Sequence, residues 1–390
     1  MSDSNRIQIA YVKESIRGIT PDSPLEVLNV ASESLVGNAS STQSTIVQAS
    51  GNLKDSIRTD FQPAGGINTE LGFDFNNEFI EGAFRSAFGT PVSISGITFA
   101  MVPGSPITIT DSGSGLAGLT INDMIWVTGF ADENNNGAFV VTASAAGTID
   151  VVPVDASKTV TSESAGATVS IKTTRMANDN TSSTFSIERF YSDVSHYMSW
   201  LGMEVDTMAL SFGASSPATI AFTFLGEKHP PITATIGNGT RTAASTNPVM
   251  DTVDGYLGTL LSVGGATLTN AVGCVTNVTY NIANGVRSEQ GLNCKTIGKG
   301  DFNLTVSFDI VFKDLTYYKA FQDNSIISLA SGVTDSNDKG YGIVIPTLKL
   351  TSASAPLSGA NQTTTGSYQA QAIGSTVDGD VYTAIFSILE

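Results

Sequence analysis

Phe302, Leu304, Val306, Phe308, Ile310 and Phe312 alternate with Asn303, Thr305, Ser307 and Asp309. Successive side chains of a strand point to opposite faces, so this sustained period of two demands a strand with one face buried and one in water. A second alternating segment begins at Cys274. Between the two lie Asn281-Ile282-Ala283-Asn284-Gly285 and Lys299-Gly300-Asp301, and the pattern stops at Asp314-Leu315-Thr316-Tyr317-Tyr318-Lys319-Ala320-Phe321. The whole reads as a long polar-faced β-hairpin followed by a short helix.

Composition extends this reading to the rest of the chain. At 390 residues the length exceeds that at which one compact core usually stops growing, so two structural units are expected. With 38 Gly and only 14% charged residues, many short strands joined by tight turns fit better than a helical bundle. A formal net charge of -17 argues against a protein that grips phosphate backbones through clustered Lys and Arg, and in its plainest sense keeps a surface soluble. Met1-Ser2-Asp3-Ser4-Asn5-Arg6 lacks the apolar region of an export signal, and no stretch approaches the roughly 18 apolar residues of a membrane span, so a cytosolic chain with no membrane partner is expected.

The opening, from Ile7 to Pro21, combines a short apolar run with a Gly and Pro break and reads as an arm and a turn. A hairpin is predicted next, with one strand around Ser44 to Ala49, a turn at Ser50-Gly51-Asn52 and a second strand from Leu53 to Phe61 that is polar on both faces. From about Glu78 to Phe88, Phe79, Ile80, Ala83, Phe84, Ala87 and Phe88 form one helical stripe, with Asn76 or Asn77 as cap and Gly89 and Pro91 as stop. Between Val92 and Lys172 short Val, Ile and Thr runs alternate with Gly, Ser and Asn turns. This predicts an inserted small β-barrel or sandwich that folds alone, with strands near 106–110, 124–129, 138–142, 148–152 and 167–172 and Asn136-Gly137 as a hairpin turn. Beyond it, Met208, Leu210 and Phe212 pair with Ile220, Phe222 and Phe224 around a turn at Gly213 to Pro217. Gln369 to Ile373 and Val381 to Leu389 supply two last strands.

Motifs that look chemical are incomplete. Gly113-Ser114-Gly115-Leu116-Ala117-Gly118 has dinucleotide-loop spacing but leads into a strand, not the helix whose N-terminus would face a pyrophosphate. Asp132-Glu133-Asn134-Asn135-Asn136-Gly137 begins like a calcium loop, yet its twelfth position is Ala143 and the bidentate carboxylate is missing. His196 and His229 lack second ligands at metal-binding spacing, and no nucleophile elbow occurs. Neither a metal nor a cofactor is expected, and the chain reads as a non-enzyme. Cys274 and Cys294 flank the Asn281 to Gly285 turn, where a cross-hairpin disulfide is conceivable, although two isolated cysteines are more often small buried hydrophobes.

Several of these segments resemble the major tail tube proteins of bacteriophages. The hairpin between Cys274 and Phe321 carries an N-x-x-x-G, a later G-K-G-type turn, a long alternating strand and an F-x-D in that family's order. Tyr11-x-x-Glu14-x-x-x-Gly18-x-x-Pro21 resembles the family's start, and Glu188-Arg189 followed by Gly202-x-x-Val205-x-x-x-x-Leu210 resembles its middle. The resemblance lies on both sides of the insertion. It implies a mainly β fold: a tail-tube-type β-sandwich or barrel core formed by residues 1–91 and 173–390, with one main α-helix and a short second helix. The inserted β domain, 92–172, then belongs on the outer surface.

What the resemblance implies about function is architectural: a structural virion subunit of a long-tailed, siphovirus-like phage or a gene transfer particle, assembled in the host cytoplasm. Its copies would form rings, hexameric by resemblance, stacked into a channel for genome passage. Its partners would be itself, the tape measure protein in the lumen, the tail terminator and distal tail proteins, and double-stranded DNA in transit without stable binding. Closing strands around a ring also removes exposed sheet edges. An acidic or neutral wall would let DNA slide, since a duplex carries one negative charge per roughly 1.7 Å. The lumen candidates are Asp55, Asp60, Glu204, Asp206, Asp301 and Asp309, each of which reads equally well as an outer-surface charge. Tyr11, Ile16 and Ile19 are candidate inter-subunit anchors on the N-terminal arm, or local packing residues. Two alternatives have the same composition: a secreted adhesin or surface-layer protein, which should carry an export signal, and a tail-tip carbohydrate-processing enzyme, which needs apposed carboxylates.

Overall fold

A computed structural model describes residues 3–390 apart from 156, 167, 231–233, 254, 265–267, 269–273, 293, 357–362 and 378–379. The fold is mostly β, with two α-helices among the described residues. Strands of four or more residues are numbered in chain order. β1 (Ile7–Glu14) is followed by β2 (Val36–Gln43) and β3 (Ser56–Glu70), an antiparallel pair. The first strand of this hairpin therefore ends where sequence reasoning expected it to begin, and residues 44–55 form its tip. Polar residues on both faces left no periodicity to locate it.

Helix α1 (Asn77–Phe84) buries Phe79, Ile80, Ala83 and Phe84, as its stripe predicts. It stops four residues before the predicted end because Arg85 turns left-handed at φ 54°. That conformation costs an L-residue roughly 1–2 kcal/mol. Two hydrogen bonds from its guanidinium offset it, to the carbonyls of Asn284 (2.5 Å) and Gly300 (2.8 Å). Asn76 occupies the cap position, but its side chain makes no capping bond.

The inserted segment contributes β4 (Val92–Gly96), β5 (Phe99–Val102), β6 (Ile107–Asp111), β7 (Met124–Thr128), β8 (Gly137–Ala145), β9 (Thr148–Pro153) and the start of β10 (Val169–Ala177). Asn136 and Gly137 close a longer loop between β7 and β8 in place of a two-residue turn. The segment has an apolar cluster of its own, including Phe99, Ile125, Phe139 and Ile171.

The remaining strands are β11 (Thr184–Tyr191), β12 (His196–Gly213), β13 (Thr219–Leu225), β14 (Tyr256–Val263), β15 (Val275–Ala283), β16 (Arg287–Gln290), β17 (Lys295–Gly298) and β18 (Asn303–Val311). After helix α2 (Thr316–Gln322) come β19 (Ile326–Thr334), β20 (Gly340–Ser354), β21 (Thr365–Ala372) and β22 (Ile385–Leu389).

Two sheets enclose the main core. The first runs β3–β13–β12–β15–β18–β21, antiparallel throughout. Its inward residues, among them Met208, Phe222, Tyr280, Phe308 and Tyr368, meet helix α1 in one cluster. Full burial of each such side chain contributes roughly 1.5–3 kcal/mol. β20 continues from the first sheet into the second, where it pairs with β19 and β22, and β14 flanks β19. Tyr341, Ile343 and Phe386 of the second sheet face this same core.

The outer face of the second sheet is covered too. Ala330, Val344, Ile385 and Leu389 pack against Met124, Ala138, Val140 and Val154 of the inserted segment. β10 threads both bodies, pairing with β4 and β7 through its first half and with β22 through its second. The approach is close: a Cβ on Gly342 would lie 2.1 Å from the Met124 sulfur. Across the same junction Arg175 pairs with Asp123 at 3.3 Å.

Candidate functional site

The outer face of the first sheet carries no covering layer among the described residues. Strand register lines its side chains up in rows, because directly opposed residues share a face. One row reads Asn68, Ala221, Ala209, Asn281, Thr305, Gln371, and the next reads Glu70, Thr219, Ser211, Thr279, Ser307, Gln369. A third joins Gly213, Asn277, Asp309 and Ser367. All of these are exposed or half-buried, while most of their strand neighbours are buried.

Small hydroxyls and amides dominate and bond to one another. The Thr207 and Thr223 hydroxyls lie 2.6 Å apart, those of Ser211 and Thr279 2.9 Å, and the Gln371 amide donates to Asn303 Oδ1 at 2.9 Å. Charge is confined to the margins of these rows. Asp309 and Glu70 sit toward one end of the sheet, and Lys349, opposite Gln371, lies on the β20 edge. This is a polar, sparsely charged surface on an apolar backing.

Only one of the six carboxylates singled out from sequence, Asp309, stands in these rows. Glu204 is buried and bonded by the Arg17 guanidinium and by the Ser182 hydroxyl at 3.1 Å. Asp206 accepts the Val286 N–H at 2.8 Å. Burial pulls the Arg85 guanidinium below its ordinary pKa, and Glu204, Asp301 and Asp206 oppose that shift, so these three acids gather around a cation. Asp55 lies exposed at the tip of the β2–β3 hairpin. Asp60, on the same hairpin, is held below the usual carboxylate range by its 2.9 Å bond to Lys295.

Of the arm residues, Tyr11 lies in the core against Phe79, with ring centroids 4.5 Å apart, whereas Ile16 and Ile19 are exposed. The polar face of these strands was expected from the alternation, but only carboxylates were named on it, so the uncharged rows went unnamed. Their signal was the alternation itself, since Asn303, Thr305 and Ser307 are the polar half of the pattern that located β18.

The other motifs have local roles. Asp111 accepts the N–H groups of Gly113 and Gly115, filling the glycine loop with a side chain of the chain itself. Asp132 caps a short 3₁₀ turn and accepts the Thr161 hydroxyl at 2.6 Å. His229 stacks between Trp200 and Phe61, at 5.1 and 5.8 Å. Cys274 and Cys294 are free and exposed. Cys274 precedes β15 and Cys294 lies beyond its far end, about 30 Å of strand away, which excludes the disulfide between them.

Against known proteins, no curated sequence matches. A family model described as phage tail tube protein matches residues 4–372, across the inserted segment as well as the core. The chain belongs to the phage tail tube protein family.

Proposed function

We propose that this tail tube protein assembles into rings, hexameric by family resemblance, whose stacking forms the tail channel of a siphovirus-like phage or gene transfer particle, with the rows on the first sheet lining the lumen. The observation that carries this reading is the polar face itself, whose rows are hydroxyls, amides and small residues with charge only toward the ends. Cations on a channel wall would neutralise phosphates and release counterions, tethering the genome. A wall of hydroxyls and amides offers no such term, and Asp309 adds a weak repulsion.

The same wall suits the earlier occupant of the lumen, a tape measure protein, which must also leave. Tail terminator and distal tail proteins would meet the two ends of the stack. The inserted segment belongs on the outside, because it packs behind the second sheet, a full sandwich away from the polar face. Asp309 remains a lumen residue in this reading. The acids clustered at Arg85 act within the protomer.

Replacing Thr279 and Asp309 together by Lys tests the assignment. Rings should form as before while genome release slows, with the slowing relieved at high salt. Release at the original rate from particles carrying both lysines would remove this face from the lumen.

A further inference from the structure

The buried Glu204 carboxylate is shared ground for two segments remote in sequence. The first is the N-terminal arm, which Glu14 seats on β12. Its carboxylate accepts the N–H groups of Gly202 (2.9 Å) and Gly18 (2.7 Å) and the hydroxyls of Thr184 and Ser186. Beyond that anchor the chain turns, with Ile16 and Ile19 bridged to each other and both more than half exposed. Arg17, inside the turn, reaches Glu204 through Nη2. Its Nη1 is buried without a hydrogen-bond partner among the described residues, so only part of the guanidinium fork is used. Two lesser ties hold the rest of the turn: the Thr20 and Ser186 hydroxyls lie 2.8 Å apart, and Lys228 reaches the Gly18 carbonyl at 3.4 Å.

The second segment is the return of the β16–β17 hairpin. This hairpin leaves the first sheet after Ala283, beside β2–β3, to which Lys295 ties it through Asp60 and the Phe61 carbonyl, both at 2.9 Å. Its base closes on β12: the Asn284 N–H donates to the Asp206 carbonyl at 2.7 Å, and the Gly300 N–H to the Asn284 carbonyl at 2.9 Å. Between these, Lys299 Nζ donates to the Asn180 carbonyl at 2.6 Å. Ser182, whose hydroxyl holds Glu204, is two residues further on, at most about 7 Å along the chain. Burial pulls the Lys299 ammonium below its ordinary pKa; Glu204 opposes that shift, Arg85 and Arg17 add to it, and Asp179 opposes it. Lys299 thus stands within electrostatic reach of Glu204, bonded to a neutral carbonyl while Arg17 holds the acid.

We propose that Arg17 and Lys299 compete for Glu204, so that lifting the arm turn off β12 draws Lys299 onto the carboxylate and tightens the base of the β16–β17 hairpin. A buried carboxylate stripped of its partner is costly, and Lys299 is the flexible cation at hand. The Arg85 guanidinium is already committed to the carbonyls of Asn284 and Gly300. Arm and hairpin base then report on each other through one acid, a coupling that is reciprocal. The device is internal to one protomer and does not depend on the tube reading.

Acylation of lysines in the folded protein reads the competition, because only the free amine reacts. With limiting N-hydroxysuccinimidyl acetate, Lys299 labelling in Arg17→Met should fall about threefold from wild type, since a nearby like charge is lost and a carboxylate gained. Lys295 is the internal control and should not change. Arg17→Lys keeps a cation at Glu204 and should label as wild type does. A purely structural role has the opposite sign, because a loosened arm would uncover Lys299 and raise its labelling. Gly18→Val lifts the turn without touching a charge: the backbone there is left-handed at φ 69°, and a Cβ would meet Lys228 Nζ at 3.0 Å. It should lower Lys299 labelling as well, and it decides the matter where Arg17→Met does not fold. In the Glu204→Gln chain, adding Arg17→Met should leave Lys299 unaltered. Labelling of Lys299 that stays constant or rises in Arg17→Met or Gly18→Val, with native circular dichroism, would overturn the inference and leave the tube reading standing.

Discussion

The first and second sheets share one core yet follow opposite rules on their other faces. In the first, β18 alternates strictly between core and open surface, whereas in the second, eight of the nine residues of β19 are buried. Covering both faces replaces alternation by a continuous run of buried residues, because neither side meets water. The difference separates a surface available for work from one committed to packing. Sheet one keeps its polar rows free, and sheet two is closed by the inserted segment.

The largest expected effect comes from placing one charge on each surface. Ala330 and Ala209 both lie mid-strand, the first fully buried beneath the inserted segment and the second in the polar rows. Ala330→Asp leaves an unpaired charge in an apolar junction and should cost about 3–5 kcal/mol, while Ala209→Asp should stay within about 0.5 kcal/mol. Chemical denaturation of both variants measures the contrast, and equal losses would erase it.

A smaller effect is expected where the layers touch. Gly342→Val drives a side chain into Met124, so the inserted segment must shift, at about 1–3 kcal/mol. Met124→Ala in the same chain should return part of that loss, a coupling readable in a double-mutant cycle. Independent effects of the two substitutions would mean that the junction is looser than its geometry.

The smallest effect concerns the hairpin beyond the first sheet. Lys295 lowers the Asp60 pKa in the folded state, so the bond stabilises the docked hairpins above the unfolded carboxyl value, about 3.9. That contribution is lost as pH falls through the lower folded value. Amide exchange near Thr59 should therefore accelerate below about pH 4 with β18 unchanged, and Lys295→Met should remove the pH dependence. Exchange that rises equally in both segments would assign the change to global unfolding.

Much of the first sheet was legible in sequence because burial on one face writes a period of two. The pairs Met208–Phe222 and Tyr280–Val306 join strands found that way, whereas β21 was expected only from Gln369 and begins four residues earlier, so that Tyr368 opposite Phe308 lay outside it. β14, β19 and the first half of β20 went unrecognised, since a strand buried on both faces has no such signature. The end of α1 escaped for a different reason. Ala87 and Phe88 continue its stripe, and only the carbonyls of Asn284 and Gly300, some two hundred residues away, favour the left-handed turn at Arg85. Among the candidate lumen residues, Asp309 was placed by its strand. Glu204 had the same local pattern and lies buried against Arg17, which no local signal foretells.

The sequence by itself determined the mainly β class, the alternating strands of the polar face and the net acidity of the chain, all of which follow from local periodicity and composition. Tertiary structure alone decided which carboxylates are neutralised, how the inserted segment seals the second sheet, and that two hairpins leave one end side by side. Those outcomes depend on contacts between residues remote in the chain, whose energies arise only when folding brings charge, edge and apolar surface to within a few ångströms of one another.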